Sequence, residues 1–542
     1  MKNTKFSFYI PILLAVAMAA GIFLGNRLAM NSGNSLPSKS SSGKLEAIID
    51  LIRNAYVDSI STDTLIEKTI PQLLKNLDPH TAYIPAKDMV EVEEEMRGNF
   101  GGIGVQFSIQ NDTVMVVDVI SGGPSSKLGI MPGDRIVTVN DTILTAKGLK
   151  NESVLSKLRG EKGTEVNVGI KRKGIKDLIN FEITRGDIPI YSVDVSYMID
   201  PSTGYIKVSR FGEKTYEEFM DGMKKLDQQG LKNVIVDLRG NPGGYLNAVI
   251  RMVNEFLDKG ELIVYTEGNS QARKTYQADS RGAYRDKGIV VLIDDFSASA
   301  SEIFAGALQD NDRGWIVGRR SFGKGLVQEQ IPFNDGSAVR LTVARYYTPS
   351  GRCIQKPYDK GTDEYYKDIM DRAIHGEFQK ADSTKYTNNL KYKTLSGRTV
   401  YGGGGIMPDY FVPADTMGYS EYYSKITQKG LVYQFALDFA DSHRKELSSY
   451  TKTTEFETYF QKSNILNLFL TFAEKKGVKA SAKDLNVSSE IIDHQVKAYI
   501  ARNIIGEEGF YPIIMNIDKA LLEAIEKTRV PMAQNLTSAV TK

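Results

Sequence analysis

Six residues without one polar side chain, Gly288-Ile289-Val290-Val291-Leu292-Ile293, lead through Asp294-Asp295-Phe296 into the small-residue hexapeptide Ser297-Ala298-Ser299-Ala300-Ser301-Glu302. The helix-like run Ile303-Phe304-Ala305-Gly306-Ala307-Leu308 follows directly. An uninterrupted apolar run of this length, bounded by turn signals, predicts a buried strand. Strand, tight turn and helix together place a hydroxyl at a helix N-terminus, where unpaired backbone N–H groups and the helix dipole favour developing negative charge. A nucleophile there has an oxyanion site beside it. The competing reading is structural: Ser297, Ser299 and Ser301 are N-cap candidates, with Glu302 completing a capping box from Ser299.

The pattern around this turn is alternating. Strands are expected at Gly204 to Val208, Asn233 to Leu238, Leu262 to Tyr265 and Gly288 to Ile293. Helices are expected at Thr215 to Leu226, with Thr215 and Glu218 as a capping box, and at Leu246 to Leu257. Such interleaving implies βαβ units and a largely parallel sheet, whose active loops sit at the strands' C-terminal ends. Both Asp237 to Gly244 and Asp294 to Ser299 fall there. Gly240-Asn241-Pro242-Gly243-Gly244 thus forms a second wall, and the N–H of Gly243 or Gly244 is assigned with that of Ala300 to an oxyanion hole.

Downstream, Ser321-Phe322-Gly323-Lys324-Gly325-Leu326-Val327-Gln328 sets a lysine between two glycines. A lysine serves as general base only when its amine is neutral, so it must be desolvated, and flanking glycines let backbone close around it. The four histidines, His80, His375, His443 and His494, are distant from the serine cluster and lack a metal-ligand spacing such as HExxH, so neither a Ser-His-Asp triad nor a metal site is supported. Gly318-Arg319-Arg320-Ser321-Phe322-Gly323-Lys324-Gly325 approaches a Walker A loop. Gly325, however, stands where Ser or Thr must ligate magnesium, and Leu326 to Ile331 looks like a strand rather than a helix.

These motifs resemble the carboxyl-terminal processing peptidases, or tail-specific proteases. The matching stretches are Val236 to Gly244, Ser297 to Glu302, Gly323-Lys324-Gly325 with Gln328, and Tyr347-Thr348-Pro349-Ser350-Gly351; the resemblance runs from about residue 45 to about 415. It implies Ser299 as nucleophile, Lys324 as base and Gln328 as the residue that orients the lysine. It also implies an α/β core of the crotonase/ClpP-like kind, and the separation of Ser299 and Lys324 agrees with the family's pattern. Gln328 lies four residues past Lys324, about 13 Å along an extended strand, so the two meet only if Gly323 to Gly325 bends or the lysine stem leans along the strand.

The flanks complete a multidomain α/β chain. Phe6 to Asn26 is uncharged and mostly apolar, long enough to span a bilayer. Residues 6–26 read as an anchor or a signal. Lys2 and Lys5 before them put residues 1–5 in the cytoplasm and the bulk of the chain in the periplasm or otherwise outside the cytoplasmic membrane. Residues 27–43, rich in Ser, Gly and Asn, read as a flexible linker. Residues 44–99 read as helical, with Leu45, Ile48, Ile49, Ile52 and Tyr56 on one face and a helix from Thr64 to Leu77 broken or kinked at Pro71. That stripe fits intramolecular core or homo-oligomerisation equally. Residues 100–185 read as a PDZ-like β-rich domain: strands at Gly101 to Phe107, Val114 to Ile120, Asp134 to Val139 and Val166 to Arg172, with short helices at Pro124 to Leu128 and Val154 to Leu158. Its Gly102-Ile103-Gly104-Val105 loop is the candidate carboxylate-binding segment for a peptide C-terminus. Residues 186–415 form the protease core, within which Tyr358 to Arg398 reads as a surface excursion before the Gly402 to Gly405 loop. Residues 416–542 form a helical C-terminal domain, on periodicities such as Ile465, Leu468, Phe469, Phe472 and Ile492, Val496, Ile500.

A net charge of +2 with a quarter of residues charged gives no electrostatic footprint for nucleic acid, and the single cysteine, Cys353, excludes an intrachain disulfide. The expected function is an ATP-independent serine endopeptidase, without metal or cofactor, that cuts protein or peptide substrates near their free C-termini. The alternatives are a catalytically inactive PDZ scaffold and a P-loop-like nucleotide hydrolase.

Overall fold

The computed structural model describes residues 15–22, 42–110, 112–120, 122–145, 148–380, 390–415 and 418–531, in two compact units divided between Asn76 and Leu77. In the first unit, residues 15–22 are helical and the helices Ser42–Ala55 and Thr62–Leu74 follow. Pro71 lies inside the latter, which runs on to Leu74, so the proline does not end it. The remainder of the apolar span 6–26 and nearly all of the linker 27–43 fall outside the described residues. Among the described residues no helix is long and apolar enough to cross a membrane.

The second unit is built on a six-stranded sheet in the order Val193–Met198, Thr203–Val208, Asn233–Asp237, Gly288–Ile293, Trp315–Gly318, Tyr410–Phe411. The first pair is antiparallel and the rest are parallel. Successive side chains of a strand face opposite sides, so the apolar runs feed two cores. Val234, Val236, Ile289, Val291 and Ile293 join one with the helices Thr215–Asp227, Leu246–Asn254 and Ala300–Asp310. Ile235, Val290 and Leu292 join the other, closed by Ala520, Leu521 and Ala524 of the helix Lys519–Lys527. Each such buried Val, Ile or Leu contributes about 1.5 to 3 kcal/mol. The C-terminal helices also have their own core, around Phe435, Phe456, Phe469, Ile492 and Val496.

Leu262–Glu267 departs from the expected parallel sheet. It lies in a separate antiparallel sheet, beside Ala338–Tyr347, which also pairs with Leu326–Pro332 and Ala82–Ile84. The capping box of Thr215 and Glu218 is also corrected. The Glu218 carboxylate accepts from the N–H groups of Ser192 (2.7 Å) and Val193 (3.0 Å), and the Thr215 hydroxyl accepts from Gly212, so both fasten the helix to preceding chain instead. Tyr358 to Arg398 is no mere surface excursion either: it contains the helix Thr362–Ile374, whose Tyr365 and Arg372 are buried. Arg372 donates to the carbonyls of Arg320 and Ser321, bracing the loop that carries Lys324.

The β-rich domain is a sheet in the order Val105–Gln110, Thr113–Val119, Arg135–Val139, Glu165–Lys171, Ile179–Thr184, with the helices Pro124–Leu128 and Asn151–Leu158. The single strand expected over Gly101 to Phe107 is two. Asn99–Gly102 pairs with Gly186–Pro189, and Val105–Gln110 begins afresh after Gly104, whose φ of +78° interrupts the extended backbone.

Candidate active site

Ser299 stands between strand and helix with φ 55° and ψ −113°, in the left-handed half of backbone space that a residue with a Cβ avoids. A conformation of this kind costs on the order of 1 to 3 kcal/mol and persists where its surroundings over-determine it. They do so here. The Ser297 hydroxyl donates to Leu238 O (2.8 Å) and accepts from Asp294 N–H, the Ser301 hydroxyl donates to Asn241 O (3.0 Å), and Ala298 N–H donates to the same carbonyl (3.0 Å). Both flanking serines are fully buried, and their hydroxyls stitch the turn to its neighbour at 238–241. The Ser299 hydroxyl makes no capping hydrogen bond and lines a cleft of about 620 Å³.

Glu302 exceeds its sequence reading as half of a capping box. Its carboxylate accepts the Ser299 N–H (2.8 Å), and also the Lys324 N–H (2.8 Å), the Gly323 N–H (2.7 Å) and the Ser321 hydroxyl (2.5 Å). One buried side chain thus clamps the serine turn to the lysine loop. Burial pushes its carboxyl up to about 7, against four donors that favour the ionised form. Tyr346 ties the same two segments from the other side, its hydroxyl lying 3.1 Å from Ser299 O and 2.7 Å from Lys324 O.

Lys324 lines the cleft with Ser299, Ala300 and Gln328. Burial, and then the cation of Arg340, lower its pKa from that of an ordinary lysine, while Glu302 and Asp78 pull it the other way. No carboxylate among the described residues forms an ion pair with it. The backbone between Lys324 and Gln328 is irregular: Gly323 has φ +90°, the strand starts only at Leu326, and its pairing with Ala338–Tyr347 slips between Val327 and Gln328; both residues line the one cleft, and the hydrogen bond of the Gln328 amide goes to Thr342. Lys324 therefore precedes the strand, and the flat-strand separation does not apply. The loop lies between two strands, and the Gly323 and Lys324 N–H groups that a nucleotide phosphate would need are taken by Glu302.

The second wall divides the oxyanion candidates. Gly243 N–H donates to Asn241 Oδ1 (2.8 Å), and Gly243 is not among the residues lining the cleft, whereas Gly244 and Ala300 are. Among the described residues no acceptor takes the N–H of either. A Cβ on Gly243 would stand 2.7 Å from Ser299 Cβ, so this glycine permits the close approach of the two turns. Val92, Met96, Leu246, Ile303 and Leu326 give the cleft an apolar floor.

The loop Gly102-Ile103-Gly104-Val105 is not part of this cleft. Ile103 is buried, its carbonyl accepting from Ser125 N–H, and the Gly104 carbonyl accepts from Ile120 N–H. Among the described residues the N–H groups of Ile103 and Gly104 have no acceptor. Val105 opens a strand paired on one side only, by Thr113–Val119.

Residues 202–364 match peptidase family S41, residues 101–183 match the PDZ domain, and residues 422–506 match a family of unknown function. The chain is 36% identical over 350 residues to a carboxy-terminal-processing protease of Bartonella bacilliformis, covering 63% of this chain and 80% of that one. It is 33% identical over 357 residues to the carboxy-terminal processing protease CtpA of Bacillus subtilis, covering 66% and 76%. The chain belongs to the carboxy-terminal processing proteases of family S41. It is a serine peptidase with a PDZ domain. Sequence reasoning saw Glu302 only as a cap and passed over Tyr346, which stands beside the quoted Tyr347 motif. It also passed over Asp78-Pro79-His80-Thr81, whose Asp-Pro turn chemistry was the available signal.

Proposed function

We propose that this carboxy-terminal processing protease works through Ser299 as nucleophile and Lys324 as general base, without ATP, metal or cofactor, and cleaves near free C-termini delivered by its PDZ domain. The observation carrying the catalytic assignment is the inequality of the three serines: Ser297 and Ser301 are buried and bonded to backbone carbonyls, whereas Ser299 is strained and lines the cleft beside Lys324. In this reading the Ser299 oxygen attacks the scissile carbonyl as its proton passes to the neutral Lys324 amine. The Gly244 and Ala300 N–H groups receive the oxyanion. The protonated lysine then gives its proton to the leaving amine, releasing the C-terminal fragment. Water, deprotonated in turn by Lys324, hydrolyses the acyl-enzyme.

Ser299→Ala is expected to abolish cleavage of a tailed peptide and labelling by a serine-directed phosphonate read by intact mass. Ser297→Ala removes two hydrogen bonds and Ser301→Ala one, each worth about 1 kcal/mol of stability, and both variants are expected to retain cleavage and labelling. Equal loss in all three variants would return Ser299 to the rank of a structural residue.

The uncharged stretch 6–26 supports a membrane anchor with the catalytic unit outside the cytoplasmic membrane. The full chain is expected in the membrane fraction, and a chain lacking residues 1–43 in the soluble fraction with activity intact. Recovery of both in the soluble fraction would reject an anchor.

A further inference from the structure

Asp78, Pro79, His80 and Thr81 form a turn closed by one carboxylate. Asp78 Oδ1 accepts the N–H groups of His80 (2.8 Å) and Thr81 (2.9 Å), and Oδ2 accepts the Thr81 hydroxyl (2.5 Å). The next residues, Ala82–Ile84, pair with Ala338–Tyr347 in the register Ala82 to Arg340, which sets the turn beside Thr342. Thr342 N–H donates to the Thr81 hydroxyl (3.1 Å). The Thr342 hydroxyl lies 3.1 Å from Asp78 Oδ1 and 3.2 Å from Nε2 of its cross-strand partner Gln328.

Donor arithmetic fixes the direction of this chain. A carboxylate accepts and does not donate, so the single Thr342 hydrogen goes to Asp78, and the Thr342 oxygen is left to accept from the Gln328 amide nitrogen. The acceptor end of that amide, Oε1, remains for the cleft that Gln328 shares with Lys324. A neutral lysine amine has two hydrogens and one lone pair. An acceptor beside it takes a hydrogen and leaves the lone pair for the Ser299 proton, whereas a flipped amide would donate into the lone pair and cap the base.

We propose that Asp78, acting through Thr342, is a positioning residue that fixes which end of the Gln328 amide faces Lys324. The inference rests on the reading of Lys324 as base. It assigns no contact with substrate to Asp78 or Thr342. The Asp78 charge also acts on Lys324 directly, so the relay is tested at Thr342, which is uncharged and whose effect passes through Gln328.

The test is steady-state cleavage of one peptide by the full chain. Thr342→Val keeps shape and β-branching but loses the hydroxyl; kcat is expected to fall about tenfold, the worth of one hydrogen bond, with KM unchanged. Thr342→Ser restores kcat to within about twofold. In a Gln328→Ala background, Thr342→Val is expected to change nothing further, because the relay has lost its only output. Adding Thr342→Val to Asp78→Ala is likewise silent. Should Thr342→Val lower the melting temperature, the Gln328→Ala cycle still decides, since a fold defect would lower kcat in both backgrounds. Wild-type kcat in Thr342→Val, or losses that multiply with that of Gln328→Ala, would overturn the relay. Ser299→Ala and Lys324→Ala run alongside: activity in these would refute the catalytic reading itself, whereas their inactivity with a silent Thr342→Val would refute the relay alone.

Discussion

Lys324 is useful as a base only while its amine is neutral, and its setting works toward that state: burial first, then the Arg340 cation across the cleft. Under the proposed mechanism the active form is the deprotonated one, so the rate is expected to rise with pH through the pKa of Lys324, a limb displaced below the free-lysine value of 10.5. Arg340→Gln removes a repelling cation, raises that pKa and moves the limb to higher pH. A profile flat between about pH 5 and 9 with chemistry limiting, or a limb indifferent to Arg340, would count against lysine as base. Lys324→Arg is expected to be inactive, because a guanidinium does not lose its proton in this range. Glu302 belongs to the same scale. Four donors converge on two oxygens, and a glutamine offers one accepting oxygen in place of two, so Glu302→Gln must release either the Ser299 and Lys324 pair or the Ser321 and Gly323 pair. At least a tenfold loss of kcat is expected, together with a lower melting temperature.

Among the elements, the two turns at the strand ends carry the site, and their closeness depends on glycine. Gly244 has φ +142°, and a Cβ there would stand 2.1 Å from Phe211 O. Gly244→Ala is therefore expected to cost roughly 2 to 4 kcal/mol in chemical denaturation and to depress kcat, while Gly240→Ala, open to solvent around its Cβ position but at φ +71°, costs less. Elements whose signal is local were legible in the sequence. The strand Gly288–Ile293 and the helix Pro124–Leu128 have the bounds their apolar and turn residues imply, and the S41 and PDZ character was readable from short motifs. What escaped was set by distant partners. The strand Leu262–Glu267 reads like its parallel neighbours but turns back antiparallel against Lys274–Gln277 and, with Tyr265 opposite Tyr347, joins a strand far along the chain. Glu218 has the spacing of a capping box, yet the N–H groups of Ser192 and Val193, at the start of a strand, take its carboxylate instead. Asp78 and Thr342 are 264 positions apart, and only strand pairing makes them neighbours.

For the whole molecule, the PDZ domain gives the sharpest test of substrate choice. Amidating a peptide's C-terminus removes its charge at constant length. A set of charge-assisted bonds is worth roughly 1.5 to 3 kcal/mol, so capture is expected to weaken about 10- to 150-fold. Equal cleavage of amidated and free peptides by the full chain would reject tail recognition, and rapid cleavage of both by a chain lacking residues 100–185 would instead make the PDZ domain an inhibitory gate. The C-terminal region also touches that domain, Arg444 donating to Pro132 O and Lys173 to the Ser442 hydroxyl. Its last described helix has another consequence. Since Ala520, Leu521 and Ala524 seal the far face of the sheet that bears both active turns, the core stays half-covered until some five hundred residues have been synthesised. The nascent chain therefore carries Ser299 and Lys324 for a long interval before the sheet beneath them is covered on its far face.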